Sequence, residues 1–199
     1  LLANGYWPPR PKDRANRNLG MPLRFLCLLF LTFTLSSMAT EQAFAPTAPG
    51  TTELKTLPPG TLLKASAQGN YFDQSGRLFR PLFNYISAND IKMTVPVEAE
   101  IDGAAMYFWV GREELVKVRE TDGAVSVVRL PERQVASRGA RGAYSQKNFS
   151  ETRAALLEWL EGRSDLEATG PAYAVYWNGP FTPWFLKQFE VHIPIRSKK

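Results

Sequence analysis

Few side chains in this sequence could carry nucleophilic catalysis or bind a metal. The chain has one histidine, His192, and one cysteine, Cys27. A nucleophile needs a base beside it, and a histidine-rich or cysteine-rich metal site needs several such ligands. His192 stands between Val191 and Ile193 in an alternating run and faces away from both, so we predict an exposed or half-exposed strand histidine. A histidine-based triad and such metal sites are therefore excluded.

Carboxylates are the remaining candidates for acid–base chemistry. An enzyme acting on a hydrophobic substrate would need a buried carboxylate with a shifted pKa, such as Glu98, Glu100 or Glu190. Glu98 and Glu100 share one face of a predicted strand, but nothing in the sequence indicates that any of the three is buried. We therefore favour solvated carboxylates and a protein that is not an enzyme, with an enzyme as the alternative.

Aromatic and cationic side chains on a predicted helix and on a late loop indicate a ligand-binding site. The set is Arg77, Phe79, Arg80, Phe83, Phe181, Trp184, Phe185 and Lys187. An aromatic slot with cationic rims suits a flat apolar ligand that carries acidic groups. Phe79 and Phe83 also fit a core-facing stripe, and for these two we favour the core. The loop aromatics are predicted to stay at the surface, where Trp184 could alternatively contact a protein partner.

The periodicity of apolar residues indicates how these side chains are positioned. Residues 71–86 have the three- and four-residue spacing of a helix, and residues 91–101 have the two-residue period of a strand. The buried stripe of the helix is predicted to be Phe79, Leu82, Phe83 and Ile86.

The same order of elements then repeats along the chain. Strands are predicted at 54–57, 61–68, 91–101 and 106–110, and again at 125–130, 134–144, 173–177 and 189–195. A second helix is predicted over 146–162, with Ser145 as its cap and Phe149, Leu156, Leu157 and Leu160 as its stripe. Amphipathic helices must lie against one face of the strands, and about eight antiparallel strands tend to curl and close. We predict an α+β fold: a distorted antiparallel β-barrel from a duplicated strand-strand-helix-strand-strand unit, flanked by two helices.

Two segments resemble the signature of the SOUL haem-binding protein family. The first is Tyr85-Ile86, Asn89 and the run IKMTVPV at 91–97, and the second is GPFTPWFLKQFEV at 179–191. The loop in the first segment is shorter than in the family, and Ala88 replaces its glycine. The second segment keeps the acid of a common Arg-Arg-Asn-Glu run but not its arginines or asparagine. Two motifs in family order, about a hundred residues apart, are more specific than either alone, and the resemblance covers roughly 54–195.

The resemblance implies the same barrel with two helices, and a tetrapyrrole groove between the first helix and the late loop. The resemblance to one branch of the family implies a histidine ligand near the start of the domain, but residues 54–66 hold none. Met93 alternates with Ile91 and Val95 toward the core. The resemblance therefore implies a protein that binds haem, another tetrapyrrole or a flat hydrophobic ligand through ring contacts and propionates, without a histidine axial ligand.

The net charge of +5 is unevenly distributed. Residues 1–45 hold five Lys/Arg and two Asp/Glu, so the remainder is close to neutral and gives no electrostatic case for nucleic acid. Arg24, the apolar run at 25–35, and the small residues that end at Ala39 and Ala45 are typical of a secretory signal peptide. The apolar run is shorter than the ~20 residues that span a bilayer.

This pattern predicts that the chain is divided into four segments. We predict an extension at 1–20 that is untranslated or disordered, a signal peptide at 21–39 with 45 as its alternative end, a linker at 46–53, and a single SOUL-like domain at 54–196. The protein is then exported and periplasmic, without a membrane span after processing. An uncleaved leader that anchors the chain to the membrane is the alternative.

Overall fold

The computed structural model describes residues 41–120 and 123–198, so the predicted extension and signal peptide lie outside the described residues. The described strands are β1 (Thr52–Leu57), β2 (Gly60–Ser66), β3 (Val97–Glu100), β4 (Ala105–Trp109), β5 (Ser126–Leu130), β6 (Arg133–Arg141), β7 (Leu166–Ala168), β8 (Tyr173–Tyr176) and β9 (Gln188–Ser197). The helices are α1 (Tyr71–Ala88) and α2 (Gln146–Glu161), and short 3₁₀ turns occupy Arg112–Lys117 and Trp184–Leu186.

Eight of these strands form one curled antiparallel sheet, in the order β1-β6-β9-β8-β3-β4-β2-β5, and β7 pairs with β9. The first strand of each repeated unit pairs with the other unit, because β1 lies against β6 and β5 lies against β2. The strand order read from β1 therefore matches the order read from β5 when each strand is replaced by its counterpart in the other unit. The β3–β8 pair lies at the centre of the sheet. The predicted α+β fold and its duplication are confirmed, although the sheet is a half-barrel whose edges are β1 and β5.

Both helices lie on one face of the sheet, which we call the helix face. α1 packs against β2 and β4, and α2 packs against β6 and β9. Cross-strand pairing aligns one apolar row on this face, which consists of Leu63, Phe108, Val97, Tyr176 and Phe189. Most buried apolar side chains of the described residues belong to this layer, and the half-buried Met93 packs against it.

The helices begin where the sequence predicts, but their buried faces are rotated from the predicted stripes. The Ser145 side chain accepts from the Asn148 N–H, so the predicted cap of α2 is confirmed. In α1 the buried residues are Tyr71, Leu78, Leu82 and Ile86. Successive helical residues differ by about 100°, so a face centred on Leu78 and Leu82 leaves Phe83 at its edge. Phe83 is 47% exposed and Leu157 of α2 is 42% exposed, so their predicted core positions are wrong.

The strand after α1 is shorter than the predicted 91–101, since β3 covers only Val97–Glu100. The N–H of Ile91 donates to Ile86 at the end of the helix. Val95 exchanges backbone hydrogen bonds with Glu41 and Ala43. Pro96 has no N–H to donate to a neighbouring strand. These bonds direct 91–96 away from the sheet ladder.

Residues 41–50, which we call the strap, cross the sheet face that lies opposite the helices. The N–H of Gly50 donates to the carbonyl of Gly139, and Pro49 forms a bridge with the same residue. Thr47 is only 3% exposed. The linker predicted at 46–53 is therefore packed against the sheet, and from Thr52 it is part of β1.

Candidate functional site

The sheet face beneath the strap, which we call the strap face, carries buried polar residues. Cross-strand pairing places Val175 between Glu98 and Glu190, and places His192 beside Tyr173 in the neighbouring row. These five side chains are buried although they point away from the helices. The strap, and not a helix, excludes water from this part of the sheet.

The carboxylate of Glu190 is surrounded by hydrogen-bond donors. Its Oε1 accepts from Nε1 of Trp177 and from the backbone N–H of Thr47, both at 2.7 Å. Its Oε2 accepts from Nζ of Lys55 at 3.0 Å and from Oγ of Ser137 at 2.8 Å. A buried carboxylate is tolerated when donors satisfy it in this way.

Glu190 and His192 form a buried pair, with 2.6 Å between Oε2 and Nε2. Burial lowers the pKa of His192, so its ring is neutral at neutral pH. In that state Nε2–H donates to Glu190, and Nδ1 accepts from the Tyr173 hydroxyl at 3.2 Å. Burial by itself raises the pKa of Glu190, but its bonds with His192, Lys55 and Ser137 lower that pKa to about 2.

The prediction of an exposed or half-exposed His192 is wrong, because its exposed fraction is 0%. The alternation does place it opposite Val191 and Ile193, but both faces of β9 are covered. The sequence holds a signal that could have indicated this. Glu190 and His192 are in phase with each other, and Tyr173 and Trp177 alternate in the strand before them.

Glu98 has a similar environment in the other half of the sheet. Its Oε1 accepts from Nε1 of Trp109 at 3.0 Å and from Arg133 Nη2 at 2.6 Å. Glu98 is 4% exposed, so the prediction of solvated carboxylates is wrong for Glu98 and Glu190. Glu100 is half-buried. Glu98 and Glu190 thus each have one tryptophan and one cation among their partners.

The strap closes this face with an aromatic side chain. The Phe44 ring lies edge-on to Trp109 and to Trp177, with centroid distances of 5.6 and 5.4 Å. A Cβ on Gly139 would lie 2.5 Å from the carbonyl oxygen of Thr47, so the close approach of the strap requires glycine there. Sequence reasoning missed the strap, because Pro, Gly and Thr residues are also typical of a free linker.

The late loop, residues 179–187, places its aromatic side chains in solvent. Phe181 is 98% exposed, Trp184 is 66% exposed and Phe185 is 57% exposed. Trp184 and Phe185 meet edge to face at 5.8 Å. Nζ of Lys187 lies 4.9 Å from the centre of the Tyr144 ring. The three aromatic residues lie at the surface, as the sequence predicts for this loop, and Lys187 is half-buried.

The other predicted site residues belong to α1. Arg77 and Arg80 are exposed. Phe79 and Phe83 stack on each other at 5.6 Å, with Phe79 partly buried against the core. The structure therefore brings together two aromatic pairs, one on the helix and one in the loop. A single groove that uses both pairs remains a prediction.

A row of neighbouring tyrosines runs from α1 toward the late loop. Tyr71, the first residue of α1, lies 6.4 Å from Tyr176, which stacks on Tyr144 at 4.1 Å. The Tyr144 hydroxyl lies within hydrogen-bond distance of Asn178 and Gln188, at the two ends of the loop. Burial raises the pKa of Tyr144 to about 12, so its hydroxyl stays protonated.

The described ranges 41–120 and 123–198 contain neither a metal-ligand cluster nor a membrane-spanning helix. They contain no group of three or more His, Cys, Asp or Glu side chains arranged to hold a metal ion. Within the same ranges, neither helix has the length and apolar composition for crossing a membrane.

Comparisons with known proteins agree with this geometry. A family model described as "SOUL heme-binding protein" matches residues 41–194. No curated protein matches the sequence.

The C-terminal domain of EcmrR has a similar fold, with 14% identity, a TM-score of 0.59, and coverage of 74% of this chain and 98% of that chain. EcmrR in a DNA complex gives 12% identity and a TM-score of 0.61, over 74% of this chain and only 58% of that chain. A hydrolase from Listeria innocua gives 14% identity and a TM-score of 0.52, over 77% of this chain and 94% of that chain. At such identities these likenesses show the fold alone.

Proposed function

Because the chain belongs to the SOUL haem-binding protein family and exposes large aromatic side chains on its late loop, we propose that it binds a flat hydrophobic ligand there. Haem or another tetrapyrrole is the ligand class that the family suggests. The observation that carries this proposal is the exposure of Phe181, Trp184 and Phe185 next to Lys187. Contiguous apolar surface of this kind is costly in water unless a ligand or partner covers it.

The loop has the chemistry that a tetrapyrrole needs, apart from an axial ligand. A flat ring can stack on Trp184 and Phe185, and covering each aromatic side chain contributes roughly 2 kcal/mol. Lys187 supplies a cation for a propionate. His192 cannot reach a ligand at the loop, because it is fully buried on the strap face and bonded to Glu190. Binding therefore uses ring contacts and propionates.

The exposed part of α1 supplies a second wall in this proposal. Phe83 is half exposed and stacks on Phe79, and Arg80 is exposed on the same helix. These residues match the aromatic and cationic character of the loop. Their part in binding is testable separately, because they lie on a different element.

Binding is a better proposal than catalysis for this chain. A general base works best with a pKa near the working pH. The pKa of Glu190 is lowered to about 2, and its carboxylate is occupied by several donors. Glu98 is occupied by Arg133 and Trp109. Neither carboxylate is available to take a proton from a substrate at the late loop.

The test is an absorbance titration of the purified chain with haemin and with iron-free protoporphyrin. We expect a Soret shift with haemin and quenching of tryptophan fluorescence with both ligands, at micromolar concentration. Trp184→Ala should weaken binding about tenfold, since it removes a stacking partner. Leu157→Ala, at an exposed position on α2, is the control and should bind as the wild type does.

Two results would overturn the proposal. One is no spectral change with either ligand, and the other is equal affinity for wild type and Trp184→Ala. In the second case the loop would be a protein contact, and pull-down with wild type against Trp184→Ala would identify its partner. Phe83→Ala and Arg80→Gln decide whether α1 takes part, since weaker binding of these variants requires a groove shared with the helix.

We also propose that the protein is exported, on the strength of the leader pattern at 21–39. An uncleaved leader would leave the chain anchored to the membrane. The mass of the mature protein and its distribution between periplasmic and membrane fractions of a bacterial host distinguish the two. A full-length mass in the membrane fraction would contradict release into the periplasm.

A further inference from the structure

A cleft lies on the strap face, away from the late loop and α1. Its volume is about 250 Å³, and its apolar walls are formed by Val128, Leu130, Pro171 and Pro194. Sites for drug-sized ligands occupy about 300 to 1,000 Å³. This cleft is therefore too small for a tetrapyrrole and suits a compact molecule with an apolar body. We call it the strap-face cleft.

The carboxylates that line the cleft already have donors. Glu98 accepts from Arg133 at 2.6 Å, and Oε2 of Glu100 accepts from the Tyr107 hydroxyl at 2.8 Å. The guanidinium of Arg133 balances the charge of Glu98, and the neutral Tyr107 hydroxyl occupies one oxygen of Glu100. An incoming cation would have to compete with Arg133 at Oε1 of Glu98 and with Tyr107 at Oε2 of Glu100.

The cations of the cleft retain donor capacity. Nζ of Lys64 lies 5.3 Å from the centre of the Tyr107 ring, and none of the ion pairs in the described part of the chain includes Lys64. Arg133 uses one Nη2 donor for Glu98, and its guanidinium lies 5.9 Å from the Trp109 ring and 5.6 Å from the Tyr173 ring. The two rings hold the guanidinium in position, which lowers the entropy that a ligand would otherwise lose in ordering it.

We propose that the strap-face cleft binds a small apolar monocarboxylate, with its carboxylate toward Lys64 and Arg133. The aromatic or branched body of the ligand lies against Leu130 and the prolines. The rings of Tyr107 and Tyr173 also line the cleft. This site shares no residue with the late loop, so it can be tested independently of tetrapyrrole binding.

The probes are benzoate, neutral benzamide and cationic benzamidine, which share one shape and differ in charge. Saturation-transfer NMR and calorimetry on the full mature protein measure their binding. We expect benzoate to bind at millimolar concentration or tighter, benzamide to bind about tenfold more weakly, and benzamidine not to bind, because charged hydrogen bonds with Lys64 and Arg133 favour the anion.

Variants locate the site. Lys64→Gln should weaken benzoate binding about tenfold, and Leu130→Trp should abolish it by filling the cleft. Lys147→Gln, on the exposed surface of α2, should leave the affinity unchanged. Arg133→Gln would leave Glu98 buried without its cation, so Lys64→Gln decides, with its melting curve matched to the wild type. Equal binding of benzoate and benzamidine, no binding of benzoate, or full affinity in Lys64→Gln would each overturn the proposal.

Discussion

His192 Nε2 lies 2.6 Å from Glu190 Oε2, two positions apart on β9, and solvent reaches neither side chain. The pair does not stand alone, since Lys55 and Ser137 also donate to the same carboxylate oxygen. Thr47 adds a backbone N–H from the strap. The network therefore joins β1, β6, β9 and the strap through one carboxylate, and its removal should affect all four.

Glu190→Gln should destabilise the protein by about 3–5 kcal/mol. The new amide would present N–H donors to neighbours that also donate, and Lys55 would lose its closest charge partner. Urea unfolding measures the loss. Glu151→Gln, in an exposed pair with Lys147, is the matched control and should change stability by about 0.5 kcal/mol or less. Equal losses in the two variants would contradict a structural role for the network.

Acid should destabilise the protein in two steps. The pKa of His192 is lowered in the folded state, so below about pH 6.5 the unfolded chain binds a proton that the folded chain does not. The free energy of unfolding should then decrease as the pH is lowered, by up to about 1.4 kcal/mol per pH unit. The pKa of Glu190 is lowered from 4.5 to about 2, which adds a second loss as pH falls from 4.5 toward 2.

The single histidine makes the first step separable. Urea midpoints of wild type and His192→Gln, measured from pH 7.5 to pH 5, should differ in slope, because only the wild type carries this titration. Glu167→Gln, which alters a surface carboxylate paired with Arg196, should keep the wild-type slope over that range. An unchanged slope in His192→Gln would show that another group causes the acid sensitivity.

The helices, the order of the elements along the chain and the duplication could be predicted from the sequence, because each depends on local periodicity. The buried charges could not. Glu190 and His192 alternate correctly with Val191 and Ile193, but burial on both faces depends on the strap, which is more than 130 residues away in the sequence. Phe83 shows the other limit, since a shift of one residue in the helical face separates a core position from an exposed one. The exposed late loop was accessible to prediction, because Gly-Pro and Pro boundaries restrict it locally.

Gly139→Ala should lift the strap from the sheet. A Cβ there would lie 2.5 Å from the carbonyl oxygens of Thr47 and Ala48, and backbone atoms cannot move aside individually. We expect a loss of about 1–3 kcal/mol, with a red shift of tryptophan emission as Trp109 and Trp177 become hydrated. Gly76→Ala, where nothing lies within 4 Å, is the control and should stabilise α1 by about 0.5–1 kcal/mol. Destabilisation by both substitutions alike would contradict the packing argument.

The strap also predicts where a leader can be removed. Cleavage after Ala45 would delete Phe44, the ring that packs against Trp109 and Trp177, together with the carbonyl that Lys55 donates to. Cleavage after Ala39 leaves the whole strap in place. We therefore expect the mature protein to begin near residue 40. Intact-mass measurement of protein secreted by a bacterial host checks this.

A matched pair of truncated chains measures what the strap contributes. A chain that starts at residue 46 should be less stable than one that starts at residue 40 by about 2–4 kcal/mol, because loss of a packed aromatic side chain and its neighbours leaves a cavity. Phe181→Ala, in the 98% exposed loop position, should change stability little. A mature protein that begins at Pro46 and is as stable as the longer chain would show that the strap is dispensable, and the buried carboxylates would then need another cover.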